Sequence, residues 1–225
     1  MIEITNLTKK YKEQTILNNV DLYLPYKGLF FLMGKNGSGK TTLIKCLLEL
    51  EKYTGTITYQ KKPFHFIRDD FFVIFDDVPL YNELTGFQNI KLMTENTSFY
   101  NESHILDLSL LSDKKLKERV NGYSLGEKKK LALIVAYLKK PTYLVIDEIS
   151  NGLDVETLAD LKVFLKKLST DSLILATGHH FEFYDSIIND LLVLHDCVIT
   201  HIKEKDRKDK NLYDTYRKYF SHDQT

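Results

Sequence analysis

Residues 28–50 read GLFFLMGKNGSGKTTLIKCLLEL, and their order decides the fold. The opening run is apolar without a break after its glycine, as in a strand buried on both faces. Residues 34–41, GKNGSGKT, match the pattern G-x-x-x-x-G-K-[ST], and a helical run follows at once. Gly37 and Gly39 allow close backbone approach and turn N–H groups toward an anion. The open end of the helix adds partial positive charge. Lys40 has the reach to touch the β- and γ-phosphates of a nucleotide, and the Thr41 hydroxyl suits Mg²⁺. A glycine-rich turn before a helix is the bland alternative, and the buried strand ahead of it weighs against that reading.

A second apolar run, YLVI at 143–146, ends in Asp147-Glu148. At the carboxyl end of a parallel strand, Asp147 can hold Mg²⁺ and Glu148 can deprotonate an attacking water. Alone, the pair reads equally as a strand followed by a polar turn. With a phosphate loop upstream, a metal ligand beside a water activator is the stronger reading. A third strand-like run, SLILAT at 172–177, ends at Gly178, His179 and His180, either of whose imidazoles could touch a γ-phosphate.

Around these pieces, strand and helix patterns alternate. IEIT and VDLYL near the start have period-two spacing, and GTITYQ and FFVIF read as further strands. Residues from about 79 to 140 turn helical, a helix is expected over roughly 155–168, and a strand pair near 191–202 precedes a short tail helix at LYDTYRKYF. The βαβ alternation predicts an α/β fold with a mostly parallel core, an antiparallel front sheet and a helical insertion. The 225 residues carry 31 basic and 31 acidic side chains, so no global charge draws the chain to nucleic acid or anionic lipid. The two cysteines, Cys46 and Cys197, lack metal-ligand spacing and read as reduced and structural. The start lacks the apolar region of a signal peptide, and no apolar run approaches the length of a membrane span.

Residues 121–133, NGYSLGEKKKLAL, look like a helix start: Ser124 as cap, Glu127 closing a capping box, and an apolar stripe from Leu131.

In this order the pieces resemble the ATP-binding cassette (ABC) transporter nucleotide-binding domain, over nearly the whole chain. The resemblance implies a P-loop NTPase core with an N-terminal antiparallel β subdomain and a short inserted α-helical subdomain at about 79–140. It treats residues 1–225 as one cassette, with a tail from about 203. It implies ATP and Mg²⁺ as cofactors. The nucleotide would be bound by Gly34, Asn36, Gly37, Ser38, Gly39, Lys40, Thr41 and Thr42, with Tyr11 against adenine. Thr41 and Asp147 would hold the metal, with Glu148 as base, and the family register selects His179 over His180 as γ-phosphate sensor. NGLD at 151–154 looks like the D-loop, carrying Asp154. YSLGE falls on the signature LSGGQ, so Ser124, Leu125, Gly126 and Glu127 would face the ATP of a second cassette in a head-to-tail pair.

Three positions depart from the family: Leu125 replaces glycine, Glu127 replaces glutamine, and Asp76 in FDDVPLYNELT stands where the metal-contacting Q-loop glutamine is usual. The implied partners are a second cassette, identical or paralogous, and separately encoded integral membrane permease chains, with no nucleic acid. The implied location is cytoplasmic, peripheral on the inner face of the cell membrane. The short form and PLYNELTG look like exporters, including peptide-export and self-immunity systems. The alternatives are a soluble ABC ATPase acting on ribosomes, DNA or iron–sulfur assembly, and a degenerate cassette that hydrolyses weakly.

Overall fold

The computed structural model describes residues 1–78, 80–94, 105, 110–207 and 211–221. Parts of the expected helical insertion (95–104 and 106–109), Pro79 of the PLYNELTG stretch, and residues 208–210 and 222–225 of the tail lie outside the described residues. In chain order the elements are β1 (Ile2–Tyr11), β2 (Gln14–Leu24), β3 (Gly28–Met33), α1 (Lys40–Leu47), β4 (Thr54–Tyr59), β5 (Phe71–Ile74), α2 (Gly86–Met93), α3 (Asp113–Lys117) and α4 (Leu125–Lys139). There follow β6 (Tyr143–Ile146), α5 (Val155–Leu168), β7 (Leu173–Thr177), α6 (Phe181–Asp185), β8 (Asp190–His195), β9 (Val198–Ile202), α7 (Glu204–Arg207) and α8 (Leu212–Phe220).

The six residues of β3 are all buried. The strand lies inside a sheet of order β5-β6-β7-β3-β8-β9, in which the first five run parallel and β9 closes the edge antiparallel. Side chains alternate across it. Leu29, Phe31 and Met33 join one core with α4, α5, α6 and α8, whereas Phe30 and Leu32 join a second core with α1 and the front sheet. Each fully buried Leu or Phe contributes about 1.5–3 kcal/mol, which is why the run needs to be continuous rather than alternating.

The front sheet has the order β2-β1-β4 and is antiparallel throughout. Its period is not strict. Asn6 sits at φ 52°, its N–H donates to Asp21 Oδ1 at 2.7 Å, and the register slips between Ile4 and Leu7. Such a bulge inserts an extra residue and moves the inward set by one position. The strand therefore continues past the expected IEIT to Tyr11, burying Leu7 and Lys9. Lys9 Nζ donates to Glu51 Oε2 and to the Lys52 carbonyl, both at 2.9 Å, so the buried ammonium is paired.

β6, β7 and β3 are neighbours and parallel, so their carboxyl ends emerge side by side. In an open parallel sheet that edge is where ligands bind. Among the described residues, no helix is long and apolar enough to cross a membrane.

Candidate active site

The loop at 34–39 leaves β3 and opens α1 with Gly39 at φ 109°. A Cβ there would meet Ile16 Cγ2 at 2.5 Å, so both conformation and space require glycine. The first turn of α1 carries no acidic side chain, leaving its N–H end uncompensated. Lys40 is buried, and its Nζ donates to the Gly34 and Lys35 carbonyls at 2.9 and 3.1 Å. Burial pulls this ammonium below its ordinary pKa, against the opposing influence of Glu148 and Asp147. A desolvated cation gains strongly from an anion placed beside it. Ser38 Oγ is buried without a hydrogen-bond partner, an orphaned donor inside the same loop. Lysine, orphaned hydroxyl and helix end together fit a phosphate chain.

Asp147 leaves the end of β6 and is held from three sides. Its N–H donates to the Ile74 carbonyl at 2.8 Å, Thr41 Oγ1 donates to Oδ2 at 3.1 Å, and Thr177 Oγ1 donates to Oδ1 at 2.5 Å. Thr41 and Asp147 thus present adjacent oxygens, the hard donors that Mg²⁺ takes together with substrate phosphate.

Glu148 sits at φ 59°, a left-handed conformation that costs a non-glycine residue about 1–2 kcal/mol. Its N–H lies 3.2 Å from both the carbonyl and the hydroxyl oxygen of Thr177. Its carboxylate accepts from Asn151 Nδ2 at 2.5 Å and meets His179 Nε2 at 3.4 Å. His180, exposed like its neighbour, stands at the N-cap position of α6 without a side-chain capping bond. Strain of this kind persists only when neighbours over-determine the backbone. Here it aims the carboxylate at a histidine from the next strand.

The remaining expected residues are spread around this centre. Tyr11 ends β1 with 41% exposure, and Lys9 Nζ lies 4.4 Å over its ring. Asn36, Gly37 and Thr41 are exposed along the loop, and Thr42 is half-buried. Asp154 caps α5 by accepting from the Thr157 N–H at 2.7 Å, and that bond holds its carboxyl below the usual range.

Ser124 caps α4 in a complete capping box: Glu127 N–H donates to Ser124 Oγ at 3.2 Å, and Ser124 N–H donates to Glu127 Oε2 at 2.7 Å. The other Glu127 oxygen pairs with Lys115 Nζ at 3.1 Å. Burial would raise this carboxyl, but the Ser124 N–H and Lys115 outweigh it and hold the pKa low. Leu125 is exposed, and a Cβ on Gly126 would come within 3.3 Å of Thr157. Asp76 Oδ1 meets Lys129 Nζ at 3.2 Å.

Thr177, Asn151 and Lys129 escaped the sequence reading. Thr177 was visible only as the last residue of a strand, and Asn151 as part of NGLD. Lys129 hid in a lysine run, although Ala132, Leu133 and Ala136, three, four and seven positions on, are all buried on its helix face.

The family model described as ABC transporter matches residues 17–151. The Enterococcus faecalis bacitracin transport ATP-binding protein BcrA is 32% identical over 205 residues, covering 87% of this chain and 67% of that protein. The Streptococcus pyogenes lantibiotic transport ATP-binding protein SrtF is 32% identical over 188 residues, covering 80% of each. A solved ATP-binding subunit of an ABC transporter superposes with a TM-score of 0.84 at 23% identity, covering 97% of this chain and 99% of its own. A dimeric ATP-binding cassette in a post-hydrolysis state gives 0.78 at 22% identity, covering 90% and 98%. The matched segment holds both the phosphate loop and the Asp147-Glu148 pair, and the chain belongs to the ABC transporter family and carries its ATPase cassette.

Proposed function

We propose that this chain is the ATP-hydrolysing subunit of an exporter, working as a head-to-tail pair of cassettes beneath separately encoded membrane chains. It would lie peripherally on the inner face of the membrane. The observation that carries the reading is the convergence of Lys40, Thr41, Asp147, Glu148 and His179 on one sheet edge. Relatives named for bacitracin and lantibiotic transport support a role in transport and point to antimicrobial peptides as cargo.

In this reading Lys40, Ser38 and the N–H groups opening α1 hold the β- and γ-phosphates, and Tyr11 stacks on adenine. Thr41 and Asp147 hold Mg²⁺, which supplies charge neutralisation on the phosphate oxygens. Glu148 takes the proton of the attacking water, and His179 steadies both that carboxylate and the γ-phosphate. Ser124 and the open end of α4 face the phosphate bound by the partner cassette, with Gly126 allowing the approach and Leu125 and Glu127 beside it. Asp154 acts through the loop it ends.

The test is Glu148→Gln. Hydrolysis should fall by roughly 10²-fold or more, while ATP binding persists and an ATP-dependent dimer accumulates on size exclusion. An unchanged rate would remove Glu148 from the role of base. Co-purification in detergent tests the rest: a multi-span membrane chain is expected, and ribosomes or scaffold proteins would argue for the soluble alternative.

A further inference from the structure

Lys129 has no exposed side-chain surface, although it lies between two lysines that are only half-buried. An ammonium has three donors, and a buried one is costly unless all are used. All three are used here, and none on its own helix. Lys129 Nζ reaches the Glu148 carbonyl at 3.3 Å, the Asn151 carbonyl at 2.9 Å and Asp76 Oδ1 at 3.2 Å. Two of these partners set the carboxylate of Glu148. The first is its own peptide, held at φ 59°. The second is Asn151, whose side-chain amide donates to Glu148 Oε2.

We infer that Lys129 is a positioning residue for hydrolysis, pinning the strained Glu148 backbone from its carbonyl side, with Asp76 as its counter-ion. Thr177 pins the same residue from its N–H side. Together they fix both ends of a residue whose conformation the chain would otherwise leave. The inference rests on Glu148 being the activating base. It also gives Asp76 a task different from metal contact. The Asp76 side chain is 58% exposed at the surface end of the pair, with Lys129 fully enclosed at the inner end. A change at the surface position therefore reaches Glu148 through one side chain.

The experiment compares the full chain carrying K129M, D76N, D76E or E148Q, and the K129M/E148Q pair. It reads kcat, the Kd of a fluorescent ATP analogue, and the thermal midpoint. Displacing a catalytic group by about 1 Å can cost ~10²-fold, so K129M should lower kcat by about tenfold to a hundredfold. Analogue Kd should change by less than about threefold, because the phosphate loop is untouched. The losses from K129M and E148Q should not add, since both act through one carboxylate. D76N should lower kcat by a smaller factor, and D76E should recover most of it by restoring the counter-ion. D76N keeps the test open if K129M does not fold, because Asp76 lies at the surface.

A folded K129M chain with wild-type kcat beside an inactive E148Q chain would overturn the positioning role and leave Glu148 as base. Fully additive losses, or D76N and D76E behaving alike, would also overturn it. An E148Q chain turning over at the wild-type rate would strike the reading of Glu148 itself, and the inference with it.

Discussion

The loop at 34–42 and the helix start at 124–127 offer the same chemistry, backbone N–H groups and a serine hydroxyl at the opening of a helix, but they are held in opposite ways. The loop is tied into the interior. Lys40 is buried over the Gly34 and Lys35 carbonyls, Ser38 Oγ is enclosed without a partner, and Thr41 bonds across to Asp147 at the end of another strand. The helix start is tied only to its surroundings on the surface: Ser124 and Glu127 satisfy each other, and Lys115, shared with Glu118, pairs with the remaining oxygen. A loop that leaves a buried donor unsatisfied has a local cost that an anion relieves. A helix start that satisfies itself has none, so its fold is the same whether or not a partner's phosphate ever meets it. The first region declares its ligand within one chain, whereas the second needs another molecule to do so.

The largest expected effect tests the first half of that contrast. Lys40→Ala should lower hydrolysis by roughly 10²–10³-fold, the usual cost of losing a pre-positioned charge on a reacting phosphate. Because Lys40 lies within the loop that grips the phosphates, analogue binding should weaken too, unlike in E148Q. A K40A chain with unimpaired turnover, measured by phosphate release, would show that the loop is conformational only.

Thr177→Val comes next. It removes the hydroxyl that donates to Asp147 and lies beside the Glu148 N–H. Leaving buried polar groups unpaired costs about 1–3 kcal/mol, visible as a lower denaturant midpoint. Hydrolysis should fall as well, since both carboxylates lose one constraint. A variant of wild-type activity and stability would mean that Asp147 and Glu148 are set without β7.

The same contrast governs what was legible in advance. Buried strands carrying the loop and the acidic pair are announced by apolar runs with no polar break, whereas the insertion of β7 between β3 and β6 is a crossover that chain order does not display. Tyr11 follows from the family resemblance, whereas the path of the strand that carries it does not. The bulge at Asn6 that carries β1 so far breaks the period-two pattern instead of displaying it. Lys129 was illegible because its meaning lies in three partners from other elements, at positions 76, 148 and 151. A lysine run on a helix reads as solvated until the packing shows which one turns inward. Asp76 was read against its family position, and the structure supplies Lys129 as its partner. The capping box at Ser124 was plain in the sequence because capping is local.

A smaller effect separates capping from phosphate binding at Ser124. Aspartate caps a helix about as well as serine, whereas alanine costs about 1 kcal/mol. Ser124→Asp should therefore keep the thermal midpoint that S124A lowers. If Ser124 meets a partner's phosphate, both variants should weaken ATP-driven dimerisation in the E148Q background, with the aspartate, a like charge, the more severe. Dimerisation that follows the midpoint alone, lost in S124A and kept in S124D, would return this stretch to a helix cap.

The smallest effect concerns Glu127, whose acidic charge sits where the family has glutamine. The structure turns that charge inward, onto the Ser124 N–H and Lys115. Glu127→Gln keeps the capping box and loses only the charge, so solvent screening limits its cost near pH 7 to roughly 0.5 kcal/mol. The sign of its pH dependence is fixed. The folded carboxyl is held below its unfolded value. Its contribution is therefore full above the unfolded pKa of about 4.3 and fades as pH falls through the folded one. Denaturation of wild type and E127Q, followed from neutral pH downward, should show a small gap in favour of wild type that closes in acid. In the same variant, ATP-driven dimerisation should change little, because the carboxylate is tied to the Ser124 N–H and to Lys115, which Glu118 shares, and so is not free to meet a phosphate. A large gain in dimerisation on E127Q, with no gap in stability to close, would mean that the carboxylate faces the partner after all and that the helix start is less self-sufficient than the loop at 34–42 makes it look.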